Sequence, residues 1–326
     1  MTCIVLYKLY LQRVVLLHES FIEGMCSIDG FSPPAGFSTD EIIISDLSSQ
    51  CAQNMLKDCV IKASHNSANS SDTTVSPDMV SFVISRGVRF LDFELHYDAN
   101  NGVVTVGTGT ADKDKFSTIL TKINESAFTD NTTGCESPNK NDPMFIHLRI
   151  KTDNNTASVV YDAINTELDS KLTNNKTNIN VYPETKLFDI KNKYVIIVDQ
   201  NSENYFDNRG RIFKNAVSGD GYFKLFNGSS DIQCPKRPTL TSDTTTDITA
   251  VNILLEQDTY SMLGFTITGP SMKDMVTTYG MQVIAYKYYG TNTTNREQSE
   301  AVFNEFNSAF INLAQCIQYF EALESQ

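Results

Sequence analysis

The chain has 326 residues, 40% of them hydrophobic, which suffices for a large core and excludes global disorder. Its 26 basic against 39 acidic side chains give a net charge of −13, and Lys236-Arg237 is only a pair, so the basic stripe that nucleic-acid binding needs is missing. The same charge makes a strongly anionic membrane surface a poor partner without a local compensating patch.

Seven dispersed cysteines without a CxxC pair fit reduced thiols in an intracellular compartment. Cys3–Leu17 is apolar but is interrupted by Lys8, Gln12 and Arg13 and is too short to span a bilayer, so no transmembrane segment is expected. It also lacks the start and cleavage site of a signal peptide. Two readings stand for residues 1–24: an amphipathic or flexible arm, or untranslated sequence ahead of Met25. Residues 1–45 are thus expected as an N-terminal arm and 46–320 as one barrel domain.

In chain order the pattern predicts a helical stretch at Asp46–Leu56 and a first strand at Cys59–Ala63. A helix follows at Ser76–Ser85, closed by Gly87 in the left-handed region, then a second strand at Val88–Leu95. Val103–Val106 is predicted as strand three, Phe116–Ile123 as a helix, and Pro143–Ile150 as strand four. A helix is expected at Ala157–Leu172 and a strand at the end of Leu187–Val198. Residues 227–247 read as a Ser-, Thr- and Asp-rich loop. Gly264–Thr268 and Gly280–Tyr288 are predicted as the last two strands, and Glu297–Leu313 as the final helix. Alternating strands and helices over this length argue for a parallel α/β barrel.

Chemistry-bearing residues gather at strand ends. Ser64-His65-Asn66 follows strand one. Asp92, Glu94 and His96 alternate along strand two and so share a face, as do His147 and Arg149 on strand four. Two carboxylates on one face of an apolar strand need a reason, because burial without a partner raises their pKa. A metal pair, a general base, or a salt bridge to Arg89 or Arg149 would each supply it.

The stretch Ile61–Leu95 (IKASHNSANSSDTTVSPDMVSFVISRGVRFLDFEL) resembles the X region of phosphoinositide-specific phospholipase C, whose pattern is roughly SHNT…G-x-R-x-x-E-x-D. Gly280–Tyr288 resembles the GxQxVALN strand of that family's Y region. The resemblance implies a TIM-like (β/α)8 barrel of the PLC-like phosphodiesterase type, acting on an inositol phospholipid or a related phosphodiester. It casts His65 as the His that stabilises the phosphate while the inositol 2-hydroxyl attacks. It casts Asn66, Asp92 and Glu94 as calcium ligands where a member uses the metal; the metal-free bacterial members use an Arg instead.

Two departures bear on that chemistry, besides the swapped D-x-E order of Asp92 and Glu94. Val103–Thr108 stands for the family's VVYHGH strand, so Val106 takes the position of the second His, the general acid, whose loss typically costs about 10²–10⁴-fold in rate. Arg149 takes the position of a metal-binding Glu, where a guanidinium repels a dication by roughly 8 kcal/mol at 4 Å. No cofactor is therefore expected, calcium included, if Arg149 points inward, where it would clamp a phosphate instead. His96 and His147 are the candidate replacement acids. The core phrase is closer to divergent phospholipase-C-like proteins of large DNA viruses, which lack the second His. Two readings follow. In one the barrel has a degraded site, weak or no phospholipase activity, and a binding or structural role, with a viral and virion-associated setting. In the other it is a metal-independent phosphoric diester hydrolase or lyase. Protein partners are not legible.

Overall fold

The computed structural model describes residues 34, 42–109, 112–129, 136–151, 157–172, 174–175, 177, 179–198, 216–218, 223–226, 248, 250–256, 260–262, 265–267, 271–290 and 294–325. The segment Cys3–Leu17, most of the expected arm and the loop 227–247 lie outside them.

Among the described residues, eight strands run parallel in one sheet: β1 (Cys59–His65), β2 (Phe90–Asp98), β5 (Met144–Lys151), β6 (Tyr194–Val198), β7 (Ala216–Ser218), β8 (Phe223–Phe226), β9 (Val251–Leu255) and β12 (Val283–Lys287). Their spatial order is β7-β6-β5-β2-β1-β12-β9-β8, the chain order read around a circle. Every neighbouring pair on this path is parallel. Such a mixed α/β arrangement, with described helices following β1, β2, β5, β9 and β12, is that of a TIM-like barrel; a pairing of β7 with β8 is not among the described contacts.

Strand registers set which side chains share the interior. Ala63 stands beside Phe90 and Ala285, Phe90 beside Phe145, and Ala285 beside Leu255. These residues join Ile61, Val195, Ile197, Val251, Ile253 and Val283 in one buried apolar cluster. The alternate residues Leu91, Phe93, Leu95, Ile146 and Leu148 pack instead with Val80, Val83, Ile119, Leu120 and Ile123, which come from α1 (Pro77–Ser85) and α2 (Phe116–Ser126). Period-two alternation therefore sorts each of these strands into a barrel face and a helix face.

The N-terminal ends of the strands are stoppered by Ile44, Leu47, Ala52 and Leu56, all buried with the barrel interior. Gly87 makes this possible: its φ is +78°, and a Cβ there would lie 2.7 Å from Ile44 Cδ1. Arg89, one of the two salt-bridge partners open to the carboxylates in the sequence, is buried on the helix side. It donates to Ala127 O at 3.0 Å and to Ser137 Oγ, away from Asp92.

Several sequence expectations are corrected. The stretch at Asp46–Leu56 is not an α-helix but holds a 3-10 turn at Cys51–Gln53, with another beginning at Leu56. Val103–Val106 (β3) is not a barrel strand: it runs antiparallel to β2 and to the short β4 (Asp114–Lys115). Phe265–Ile267 (β11), within the expected strand Gly264–Thr268, pairs among the described residues with Tyr260–Met262 (β10) in a two-stranded sheet, and the barrel strand is Val251–Leu255. The expected final helix divides into α3 (Thr294–Glu305), a strand Phe310–Asn312 (β13) antiparallel to β1, and α4 (Leu313–Glu324). The break falls at Asn307, whose φ is +49°, and Asn312 caps α4 by accepting from Ala314 N and Gln315 N.

Candidate functional site

His65 ends β1, Asp92 and Glu94 lie in β2, and His147 and Arg149 lie in β5. Asp92 stands opposite His147, and Glu94 opposite Arg149, in the parallel register. The interior face that is apolar at Phe90 and Phe145 thus becomes polar one and two layers further on, at the C-terminal mouth where barrel enzymes place their chemistry.

Asp92 is the hub, with none of its side chain exposed. Its Oδ2 accepts from His65 Nδ1 at 2.7 Å, Asn66 N at 3.1 Å and Arg149 Nη2 at 3.1 Å. Its Oδ1 accepts from His147 Nδ1 at 2.8 Å and Arg149 Nε at 3.0 Å. Arg149 also reaches Glu94 Oε2 through Nη1 at 2.8 Å and Asn66 Oδ1 through Nη2. Glu94 Oε1 accepts from His96 Nε2 at 3.0 Å and from Gly109 N at 3.4 Å. The structure thus brings together His65, Asn66, Asp92, Glu94, His96, His147 and Arg149.

An ionised Asp92 can only accept, so both histidines that face it carry their proton on Nδ1. For His65 this leaves Nε2 as the acceptor, and Asn66 Nδ2 donates to it at 3.0 Å. Asn66 takes φ +47° at the strand end, a left-handed conformation that asparagine tolerates.

Burial pushes the Asp92 carboxyl up, but the Arg149 charge and the bonds from His147 and His65 outweigh it and hold the group well below the usual carboxylate range. For Glu94, burial is likewise outweighed, by the His96 bond and then by the charges of Arg149 and Lys151, and its pKa falls to about 2. Burial lowers His65 despite Asp92, keeping the imidazole neutral. Burial also opposes the Arg149 charge, yet Asp92 and Glu94 raise its pKa.

The sign of the pH dependence follows. A carboxylate depressed on folding stabilises the fold fully above its unfolded pKa, near 4, and loses that contribution as pH falls through the folded value. Thermal melts should therefore show Tm falling steeply from about pH 4 toward pH 2, and less steeply in Glu94→Gln. Equal slopes in the two proteins would contradict the pairing.

Three assignments change. Arg149 does point inward, but four of its N–H bonds are spent on Asp92, Glu94 and Asn66, so it is not a free bidentate phosphate clamp. His147 is only 1% exposed, bonded to Asp92 and packed against Phe90, which places it below the rim. Val106 lies opposite Leu95 and is buried among the helix-side residues, so position 106 faces away from Glu94. Of the candidate acids, His96 remains at the rim with 22% of its side chain exposed.

Calcium does not fit this donor set. Asn66 Oδ1 and Glu94 Oε2 are turned to Arg149, both Asp92 oxygens are engaged, and a guanidinium fills the space between the carboxylates. Among the described residues no group of three or more His, Cys, Asp or Glu is arranged to hold a metal ion. No helix among them is long and apolar enough to cross a membrane.

Sequence reasoning missed Tyr289, just beyond β12, whose phenol oxygen accepts from Asn66 Nδ2 at 3.2 Å. A single aromatic past a strand end carries no pattern that would have singled it out.

Residues 52–200, a little under half of the chain, match the family described as phosphatidylinositol-specific phospholipase C, X domain. Among solved structures, PLC21 of L. pealei is 12% identical with a TM-score of 0.48, the match covering 84% of this chain and 39% of that one. A calcium-dependent phosphoinositol-specific phospholipase C from Pseudomonas sp. is 10% identical with a TM-score of 0.46, covering 77% and 95%. The phosphatidylinositol-specific phospholipase C of Listeria monocytogenes is 12% identical with a TM-score of 0.42, covering 85% and 96%. The chain thus spans about two fifths of the L. pealei protein. No curated protein matches its sequence.

Proposed function

With residues 52–200 of the phospholipase C X-domain type, we propose that this barrel has given up the family's phosphodiester cleavage and serves as a binding or structural protein. One observation carries the reading: Arg149 is bonded at once to Asp92, Glu94 and Asn66, so the candidate metal ligands satisfy one another and no cation or phosphate is needed to complete them. The rest agrees with it. The Val106 side chain is turned from the mouth and His147 is sealed beneath it, so neither position presents an acid there. The viral setting rests on the wording of the Ile61–Glu94 core alone.

A second reading, a metal-independent phosphodiesterase, is favoured by the His65–Asp92 pair, which fixes the tautomer a general base requires. Two substrates separate the readings: phosphatidylinositol vesicles, whose alkoxide leaving group needs a proton, and an inositol phosphodiester with a phenolic leaving group, which does not. The proposal expects neither to turn over, with calcium or with a chelator. Weak turnover of the phenolic ester alone would favour the second reading, and turnover of the lipid would overturn the proposal.

A further inference from the structure

The outward nitrogen of His65 is covered. Asn66 Nδ2 donates both to His65 Nε2, at 3.0 Å, and to the Tyr289 oxygen, at 3.2 Å. The other end of the same amide, Oδ1, accepts from Arg149 Nη2. With oxygen on a cation and nitrogen between two acceptors, the amide has one satisfactory orientation, and turning it over would set N–H against N–H at Arg149. Tyr289 is 8% exposed and packs with the helix-side cluster, so its hydroxyl is a fixed anchor rather than a loose rim group.

We infer that Tyr289 is a positioning residue that latches the Asn66 amide over His65 Nε2, so that a ligand hydroxyl reaches the imidazole only by displacing that amide. The inference deepens the reading of a closed site, since it names what closes His65. The groups around the imidazole are Asp92 on β2, Arg149 and His147 reached through Asp92 from β5, Lys287 beside it on β12, and Tyr289 beyond β12. Of these only Tyr289 bonds the nitrogen end of the amide. Losing the anchor frees the amide to leave, while Phe at 289 keeps the ring and its packing.

The test needs no turnover, so its failure is distinct from that of the functional reading. Diethyl pyrocarbonate acylates unprotonated imidazole nitrogens, and peptide mapping resolves His65 from His96 in the full-length protein at pH 7. In Tyr289→Phe the rate at His65 should rise about three- to tenfold, the worth of one hydrogen bond, with His96 unchanged. Asn66→Gly, which keeps the left-handed backbone and removes the amide, should raise it at least as much. An unchanged His65 rate in Tyr289→Phe would overturn the inference whatever Asn66→Gly does. A parallel rise at His96 would overturn it too, by showing general loosening of the mouth.

Discussion

Replacing Arg149 with alanine should destabilise the protein by about 3–5 kcal/mol, because it leaves buried carboxylates without their cation. Asp92 is wholly buried and only 14% of the Glu94 side chain is exposed, so water compensates poorly. The same substitution vacates the space between Asn66 Oδ1, Asp92 and Glu94, three oxygen donors of the kind that hold calcium. Calcium should then raise the Tm of Arg149→Ala and leave that of the wild type unmoved. At a hundred times its Kd the ion would restore about 2.7 kcal/mol. A variant as stable as wild type, or one indifferent to calcium, would show that the guanidinium is not what neutralises the pair.

Asp92→Asn should be nearly as damaging, although the shapes match. Five N–H groups converge on the two oxygens of Asp92. An asparagine offers one acceptor oxygen and one amide, so at least two donors face another donor in either orientation. The Arg149 charge would also keep only Glu94 as an anionic partner. A loss of about 3–5 kcal/mol in denaturant melts is expected. Removing the Lys140–Glu136 surface pair sets the scale, since such a pair is worth about 0–1 kcal/mol. If both substitutions cost the same, Asp92 is not a hub.

Much of the centre was legible because strand periodicity is rigid. Once His65 ends a strand and Asp92, Glu94, His147 and Arg149 alternate along two others, a parallel register leaves the five on one face. The consequences of their meeting were harder to read. Nothing in the order of letters tells whether Arg149 is free to clamp a phosphate or is consumed by its neighbours, because that depends on distances of about 3 Å between side chains of different strands. Val106 misled because a motif alignment gives position but not facing, and β3 leaves the barrel as an antiparallel excursion.

The later strands failed for another reason. Val251–Leu255 and Phe265–Ile267 are both short apolar runs, and only strand pairing distinguishes the barrel member from the hairpin. The C-terminal helix was overextended because Phe303, Phe306, Phe310 and Leu313 keep helical spacing across Asn307, where the backbone turns left-handed.

The most direct test of a self-neutralised centre is a calorimetric calcium titration of the wild-type protein. With Arg149 seated between Asp92 and Glu94, no saturable heat should appear below millimolar calcium. A micromolar site that disappears in Glu94→Gln would contradict the account.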